Sequence, residues 1–301
     1  MSLHISLAAE KVFQIGDFPI TNSMLSSVIV TLLLTLFALA ATTPKKNNIP
    51  TTIWHHLGEY LVESFQDLTN SIAGIRGPKF FPLITTIFLF IITSNWFGLL
   101  PGVSSIGIYH ESSIEEHTLI PQVFANEAGQ SGVLNNDPIV HNEEPLQENT
   151  HVDTPQSDNH QGPKFTPFFR APTADLNTTL ALSLIAIVTI QVTGFRTIGT
   201  KAHIGKFINF SSPIDFFVGI LELVGELSKI VSFAFRLFGN IVAGEILLAV
   251  IAYLIPLIAV LPFYGLEIFV GFIQAYVFAI LTLVFSSLAM ESHGGHDNAN
   301  H

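Results

Sequence analysis

Residues 213–255 read PIDFFVGILELVGELSKIVSFAFRLFGNIVAGEILLAVIAYLI. The run is apolar almost throughout and much longer than the ~20 residues a helix needs to cross hydrocarbon. Yet it holds Glu222, Glu226, Lys229, Arg236 and Glu245. Ionisable groups inside a membrane helix are costly and mark function by default. A helix facing lipid alone could not carry them. At ~100° per residue, Glu222, Lys229, Arg236 and Asn240 share one stripe. Glu226 sits at its margin, and Glu245 falls near the opposite face. Polar groups on two faces call for two polar environments, a partner on one side and a water path on the other.

The rest of the chain fits the same solvent. Of its 301 residues, 49% are hydrophobic and 12% charged, with a mean hydropathy of +0.52. Soluble domains carry roughly 25% charged residues. Four further apolar runs lie at Asn22–Ala41, Phe81–Leu100, Leu176–Thr193 and Phe263–Met290. Irregular backbone cannot face lipid at depth, so each run is expected to be helical. The expected fold is an all-α integral membrane protein with about five spans. The first apolar run begins near Met24, after a polar lead, and its length suits a retained span rather than a secretory signal. Thr51–Ile75 carries Trp54, Leu57, Leu61, Phe65 and Leu68 at spacings of three and four, with Glu59, Glu63 and Asp67 largely off that stripe. It reads as an amphipathic helix on the membrane surface.

The parts expected are therefore an N-terminal segment (1–21), two spans with the interfacial helix (22–101), an acidic insertion (102–175), the helices bearing the buried charges (176–290) and a polar tail (291–301). Lys45, Lys46, Arg76, Lys79, Arg196, Lys201 and Lys206 fall on one side of the five-span arrangement, and Lys11, Lys164 and Arg170 on the other. The positive-inside rule puts the larger group and the C-terminus in the cytoplasm, and the N-terminus outside. The net charge of −11 is a local effect, since 11 of the 23 acids lie between Ile106 and Asp175. That insertion is too poor in large apolar residues to build a core and is expected to be partly disordered. Its histidines, His110, His117, His141, His151 and His160, and those of the tail, His293, His296 and His301, lack metal-ligand spacing, so no metal site is expected. The chain has no cysteine, which excludes disulfides and thiolate ligands.

Arg236 differs from the other charges. Its guanidinium does not deprotonate in proteins, so it cannot relay a proton. It can block leakage and favour an ionised carboxylate beside it. In the last apolar run Glu267 and Gln274 are seven apart, nearly in line on one face. If the last two helices are antiparallel, Glu245 and Glu267 lie toward the outside and Glu222 toward the cytoplasm. The acids then sort to two ends with Arg236 between them. The plain alternative is a set of structural salt bridges, such as Glu222 or Glu226 with Lys229. Arg236 has no acid one turn away.

The segment Arg236-Leu237-Phe238-Gly239-Asn240-Ile241-Val242-Ala243-Gly244-Glu245 resembles the signature of the a subunit of F-type ATP synthases of the bacterial type. Asn95–Pro101, Asp175-Leu176-Asn177-Thr178-Thr179 and Phe272-Ile273-Gln274-Ala275 with Leu281-Thr282 resemble other helix ends and faces of that family. The resemblance implies a proton-translocating stator subunit in the bacterial inner membrane. Arg236 would face the rotor ring of c subunits. Glu245 and Glu267 would line a half-channel open to the outside, with Asn240 and Gln274 between it and the ring. Glu222, and more weakly Glu226, would belong to a half-channel open to the cytoplasm. The last two helices would be a tilted hairpin along the ring. Implied partners are the c-ring, b-type peripheral stalk subunits, the remaining synthase subunits and lipid, with no nucleic acid and no cofactor. The chain has no GxxxxGK[ST] loop, so nucleotide chemistry would reside in partners. The coupling ion, proton or sodium, would be set mostly by the ring.

The chain departs from its relatives in three places. Many carry a histidine at one of the two positions held here by Glu245 and Glu267. Some have an acid near the end of the second span, where this chain has Gly98. The insertion around Gly102–Arg170 is longer than usual. Two other functions compete with the stator reading. A secondary transporter or antiporter with a buried charged substrate site should show broken helices and repeats. A purely structural subunit leaves the charged stripe unexplained.

Overall fold

The computed structural model describes residues 9–42, 53–110, 164–207, 213–255 and 260–290. It divides into two units, Met1–Ile108 with Thr166–His301, and Tyr109–Phe165. The second is described only at its ends, so most of the acidic insertion, its histidines other than His110, and the C-terminal tail lie outside the described residues.

Among the described residues seven α-helices follow one another: α1 (Asn22–Thr42), α2 (Ile53–Ala73), α3 (Gly77–Leu99), α4 (Leu176–Ile198), α5 (Thr200–Phe207), α6 (Pro213–Leu254) and α7 (Val260–Leu288). Five of the described stretches are long and apolar enough to cross a membrane: Asn22–Thr42, Ile53–Leu99, Leu176–Ile198, Pro213–Leu254 and Val260–Leu288. The protein is an all-α integral membrane protein, as its composition requires. At 1.5 Å per residue α6 is about 63 Å long and α7 about 43 Å. Hydrocarbon is ~30 Å thick, so both helices must lean or project beyond it.

Local chemistry explains the helix ends. The Asp175 carboxylate accepts the Asn177 backbone N–H at 3.0 Å and caps α4. Gly199 stops that helix with φ +91°, a conformation that L side chains rarely adopt. The expected third span thus runs on to Ile198, with Arg196 in its last turn. Pro78 near the start of α3 lacks an N–H that would be orphaned anyway, and α3 begins at Gly77 rather than Phe81. The hydroxyls of α1 bond back to carbonyls one turn earlier, Thr31 to Ser27 and Thr35 to Thr31, each at 2.8 Å. That satisfies polar groups in a helix that is mostly apolar.

Two short strand pairs accompany the helices. The N-terminal segment folds as a hairpin, β1 (Lys11–Ile15) against β2 (Phe18–Thr21), turned at Gly16-Asp17 with Gly16 at φ +63°. A Gly-Asp pair between apolar runs is a hairpin signal. The described ends of the insertion also carry strands. The chain leaves in β3 (Gly107–His110) and returns in β4 (Lys164–Pro167), and the two strands pair.

Helix α2 does not keep its apolar stripe free. Phe65 is buried, and Leu61, Leu68 and Ile72 pack on the core with it. Phe65 meets Phe88 of α3 at 4.8 Å between ring centroids. Trp54 and Leu57 are exposed, and Trp54 stands edge-on to Phe37 of α1. The core continues through Ile84 and Ile91 of α3, Phe233 and Leu237 of α6, and Phe278 and Leu283 of α7. Lipid is as apolar as these side chains, so cohesion depends on close approach at small residues. A side chain at Gly98 of α3 would meet the Ala171 Cβ at 2.5 Å, and one at Gly271 of α7 would meet the Asn95 Cβ at 3.2 Å.

Candidate functional site at the crossing of the last two helices

Helix α6 has one open face and one packed face. Phe233, Ala234, Leu237, Ile241 and Gly244 are buried, while Phe235, Arg236, Gly239, Asn240 and Ala243 are exposed. Arg236 sits at the border of the two. Its guanidinium carbon lies 5.9 Å from the centroid of the Phe233 ring one turn back. That ring is wedged against Phe278 of α7 at 5.0 Å. A cation over an aromatic face gains roughly 0.5–1 kcal/mol when exposed. Among the described residues no carboxylate pairs with Arg236.

One turn further along, the Asn240 amide donates to the Gln274 side-chain oxygen at 2.6 Å, joining α6 to α7. Gln274 is buried, and its own Nε2 meets no acceptor among the described residues. Seven residues before it on α7 stands Glu267, also buried. The Glu267 carboxylate packs directly on Gly244 of α6, occupying the space a side chain there would need. Glu245 is the next residue. The two acids that spacing alone put on separate helices are thus brought to one cross-section of the bundle. Along α6 they stand roughly 14 Å from Arg236.

Glu245 has a partner that the sequence reading left as an ordinary loop charge. Both Nε and Nη2 of Arg170 donate to its Oε2, at 3.0 and 2.8 Å. Arg170 is carried by the segment returning from the insertion, and this segment is held tightly. Its backbone N–H donates to Ser26 Oγ at 3.2 Å. Thr173 Oγ1 donates to Asn95 Oδ1 at 2.7 Å, and Asn95 Nδ2 donates to the Gly271 carbonyl at 3.0 Å. Trp96 Nε1 donates to the Ile268 carbonyl at 3.1 Å. Ser23 Oγ donates to the buried Asp175 at 2.7 Å. The end of α3, the return segment and the Glu267 region of α7 are therefore one hydrogen-bonded block.

The N-terminal half of α6 is different. Glu226 and Lys229 form an ion pair at 2.7 Å within the helix, rather than a bridge between helices, and the Lys229 ammonium lies 4.8 Å from the centroid of the Phe285 ring. Glu222 is half-buried about two turns before Lys229 and has no ion pair among the described residues.

The sequence matches the family described as ATP synthase A chain over residues 24–287. That range takes in every helix side chain of the site. The chain belongs to the ATP synthase A chain family. Among its curated relatives, the ATP synthase subunit a of Campylobacter jejuni subsp. doylei is 43% identical over 133 residues, 43% of this chain and 58% of that protein. The same subunit from two strains of Campylobacter jejuni subsp. jejuni is 42% identical over the same length. The aligned part thus spans somewhat over half of those relatives.

At Gly98 the bare backbone lets Ala171 close on α3, and the residue before it, Arg170, reaches Glu245. The sequence alone makes Arg236, Asn240, Gln274, Glu245, Glu267, Glu222 and Glu226 candidates, and it offers no expectation for Arg170, which the fold brings to Glu245. The signal available was that Lys164 and Arg170 are the only basic residues of the stretch 102–175.

Proposed function

We propose that this chain is the proton-translocating stator subunit of a rotary ATP synthase, with Arg236 facing a ring of c subunits between two offset half-channels. The observation that carries the reading is the placement of Arg236. A permanent cation at the edge of an open, apolar helix face has no counter-charge among the described residues, and burying it unpaired in hydrocarbon is costly. An acid on a partner that slides past would supply the missing charge. Gly239 supports this, since nothing lies within 4 Å of the position its side chain would take. Its smallness is not demanded by packing inside this chain.

In this reading a proton enters from outside past Glu245 and Glu267. Asn240 and Gln274 stand between those acids and the ring, and the buried Nε2 of Gln274 is a donor available to a partner. The proton neutralises a ring carboxylate, which can then enter lipid. After rotation that carboxylate loses its proton toward the cytoplasm on the Glu222 side. Glu226 serves that side less directly, because Lys229 already pairs with it. Arg236 cannot carry a proton, so it separates the two paths and favours the ionised ring acid. The c-ring, the peripheral stalk and an orientation with the C-terminus in the cytoplasm belong to the same proposal.

The test is proton flux in reconstituted complexes carrying Arg236→Ala or Arg236→Lys. Coupled ATP synthesis is expected to be lost in the alanine variant. Normal coupled synthesis in Arg236→Ala overturns the reading. Purification of the chain alone, with a bound solute and no ring of small hairpin proteins, would favour a transporter instead.

A further inference from the structure

We propose that Arg170 is a positioning residue for proton uptake, setting where the Glu245 carboxylate stands relative to Glu267. The proposal rests on the reading that these two acids line the external path. Arg170 lies outside the spans, and nothing in its local sequence assigns it a role. Three observations carry the inference.

The first is the bonding pattern. Nε and Nη2 of Arg170 converge on one oxygen of Glu245, at 3.0 and 2.8 Å, with the arginine side chain only 12% exposed. A planar fork fixes the direction as well as the distance of a carboxylate, which a lysine ammonium does not.

The second is the mounting of the arginine. The Arg170 backbone N–H bonds Ser26, Ala171 fills the notch at Gly98, Thr173 bonds Asn95, and Asp175 bonds Ser23. A loop charge serving only solubility needs none of this. These bonds instead fasten the segment that carries Arg170 to α1 and α3, and Asn95 of α3 in turn bonds Gly271 of α7, the helix that carries Glu267.

The third is the neighbour. Glu267 packs on Gly244, so two carboxylates share one level of the α6–α7 crossing. Like charges this close disfavour each other's ionised forms, and a cation beside one of them relieves that. Among the described residues, the charged groups facing Glu245 are Arg170 from the return segment and Glu267 from α7. A guanidinium does not relay protons in proteins, so Arg170 acts on the path through the carboxylate it holds.

The experiment uses the assembled complex in vesicles with Arg170→Gln and Arg170→Lys, reading proton flux against external pH at fixed internal pH. Removing the cation favours the protonated form of its neighbour. Arg170→Gln should therefore move the external-pH midpoint of flux to higher pH and lower the maximal flux about tenfold. Arg170→Lys should keep the midpoint near that of the native chain and recover only part of the rate. An unchanged external-pH profile in Arg170→Gln overturns the proposal, whatever the rate, because it leaves Arg170 a purely structural part. If Arg170→Gln fails to assemble, Arg170→Lys decides, and native rate and profile in that variant also overturn the proposal. Arg236→Ala is run in parallel. Flux that survives there sinks the functional reading, whereas a flat Arg170 profile in a complex that still needs Arg236 sinks this proposal alone.

Discussion

The Glu267 carboxylate of α7 rests on the backbone of Gly244 of α6, so closely that no β-carbon fits at residue 244 without displacing it. The atom in the way is the far end of a flexible side chain, which can swing aside. The consequence falls on placement more than on stability. Gly244→Ala is expected to change the thermal stability of the purified complex by less than about 1 kcal/mol, partly because alanine suits a helix better than glycine. Proton flux should nevertheless fall about tenfold or more, since a displaced acid forfeits geometry a transfer requires. Equal flux in Gly244→Ala and native complexes would show that the position of Glu267 is not critical.

Gly98 gives the opposite balance. The obstacle to a side chain there is the Cβ of Ala171 at 2.5 Å, which is bound to backbone and cannot rotate away. Gly98→Ala should therefore push the return segment off α3 and cost ~1–3 kcal/mol, as overpacking does. The guanidinium of Arg170, one residue away, should move with it. The check is a thermal melt of the subunit in detergent, with flux measured alongside. A variant as stable as the native chain would mean that the segment yields freely.

Asp175 serves two purposes, capping α4 through Asn177 and holding Ser23 of α1. Asp175→Ala removes both and should cost about 1–2 kcal/mol. Asp175→Asn keeps an acceptor oxygen for the cap and should recover about half of the loss. Asparagine is as good a cap as aspartate, so any deficit that persists measures the Ser23 bond. Melting curves of the two variants distinguish these contributions.

The Asn240–Gln274 bond calls for a double-mutant cycle. Asn240→Ala leaves the buried Gln274 amide without the only donor the described residues offer it, at a cost of roughly 1–3 kcal/mol. Gln274→Leu in that background should be milder than in the native chain, because an apolar side chain needs no partner. Strict additivity of the two changes, measured by stability in detergent, would deny the coupling.

The lesson for sequence reading lies in which contacts were local. Helix existence followed from apolar length, and the stripe of Arg236 and Asn240 followed from the 3.6-residue period, since both are properties of one segment. The pairing of Glu226 with Lys229 was also legible, because the two are one turn apart. Arg170 with Glu245 was not. The partners are 75 residues apart in the chain, and their meeting depends on Gly98 admitting Ala171. Glycines at helix crossings look alike in sequence whether they face a neighbour, as Gly244 does, or open space, as Gly239 does. The N-terminal hairpin was missed for a simpler reason. Its two strands are only five and four residues long and were outweighed by the helices that follow.

Gly239 offers the sharpest separation of folding from function. It lies mid-helix on the open face of α6, one turn from Arg236, with nothing within 4 Å of where a side chain would begin. Glycine in a helix interior costs ~1 kcal/mol relative to alanine. Gly239→Ala should therefore stabilise the isolated subunit by up to about that amount, and Gly239→Leu should fold about as well, because its β-carbon meets nothing within 4 Å and the position lies on the exposed face. In the assembled complex the ranking should reverse. If a partner helix passes close to Arg236, a leucine at 239 occupies the space of that approach, and flux should fall at least tenfold with the larger side chain. Alanine should give an intermediate loss. Native flux in Gly239→Leu would mean that nothing approaches this face closely, and Arg236 would then have no partner there to neutralise it.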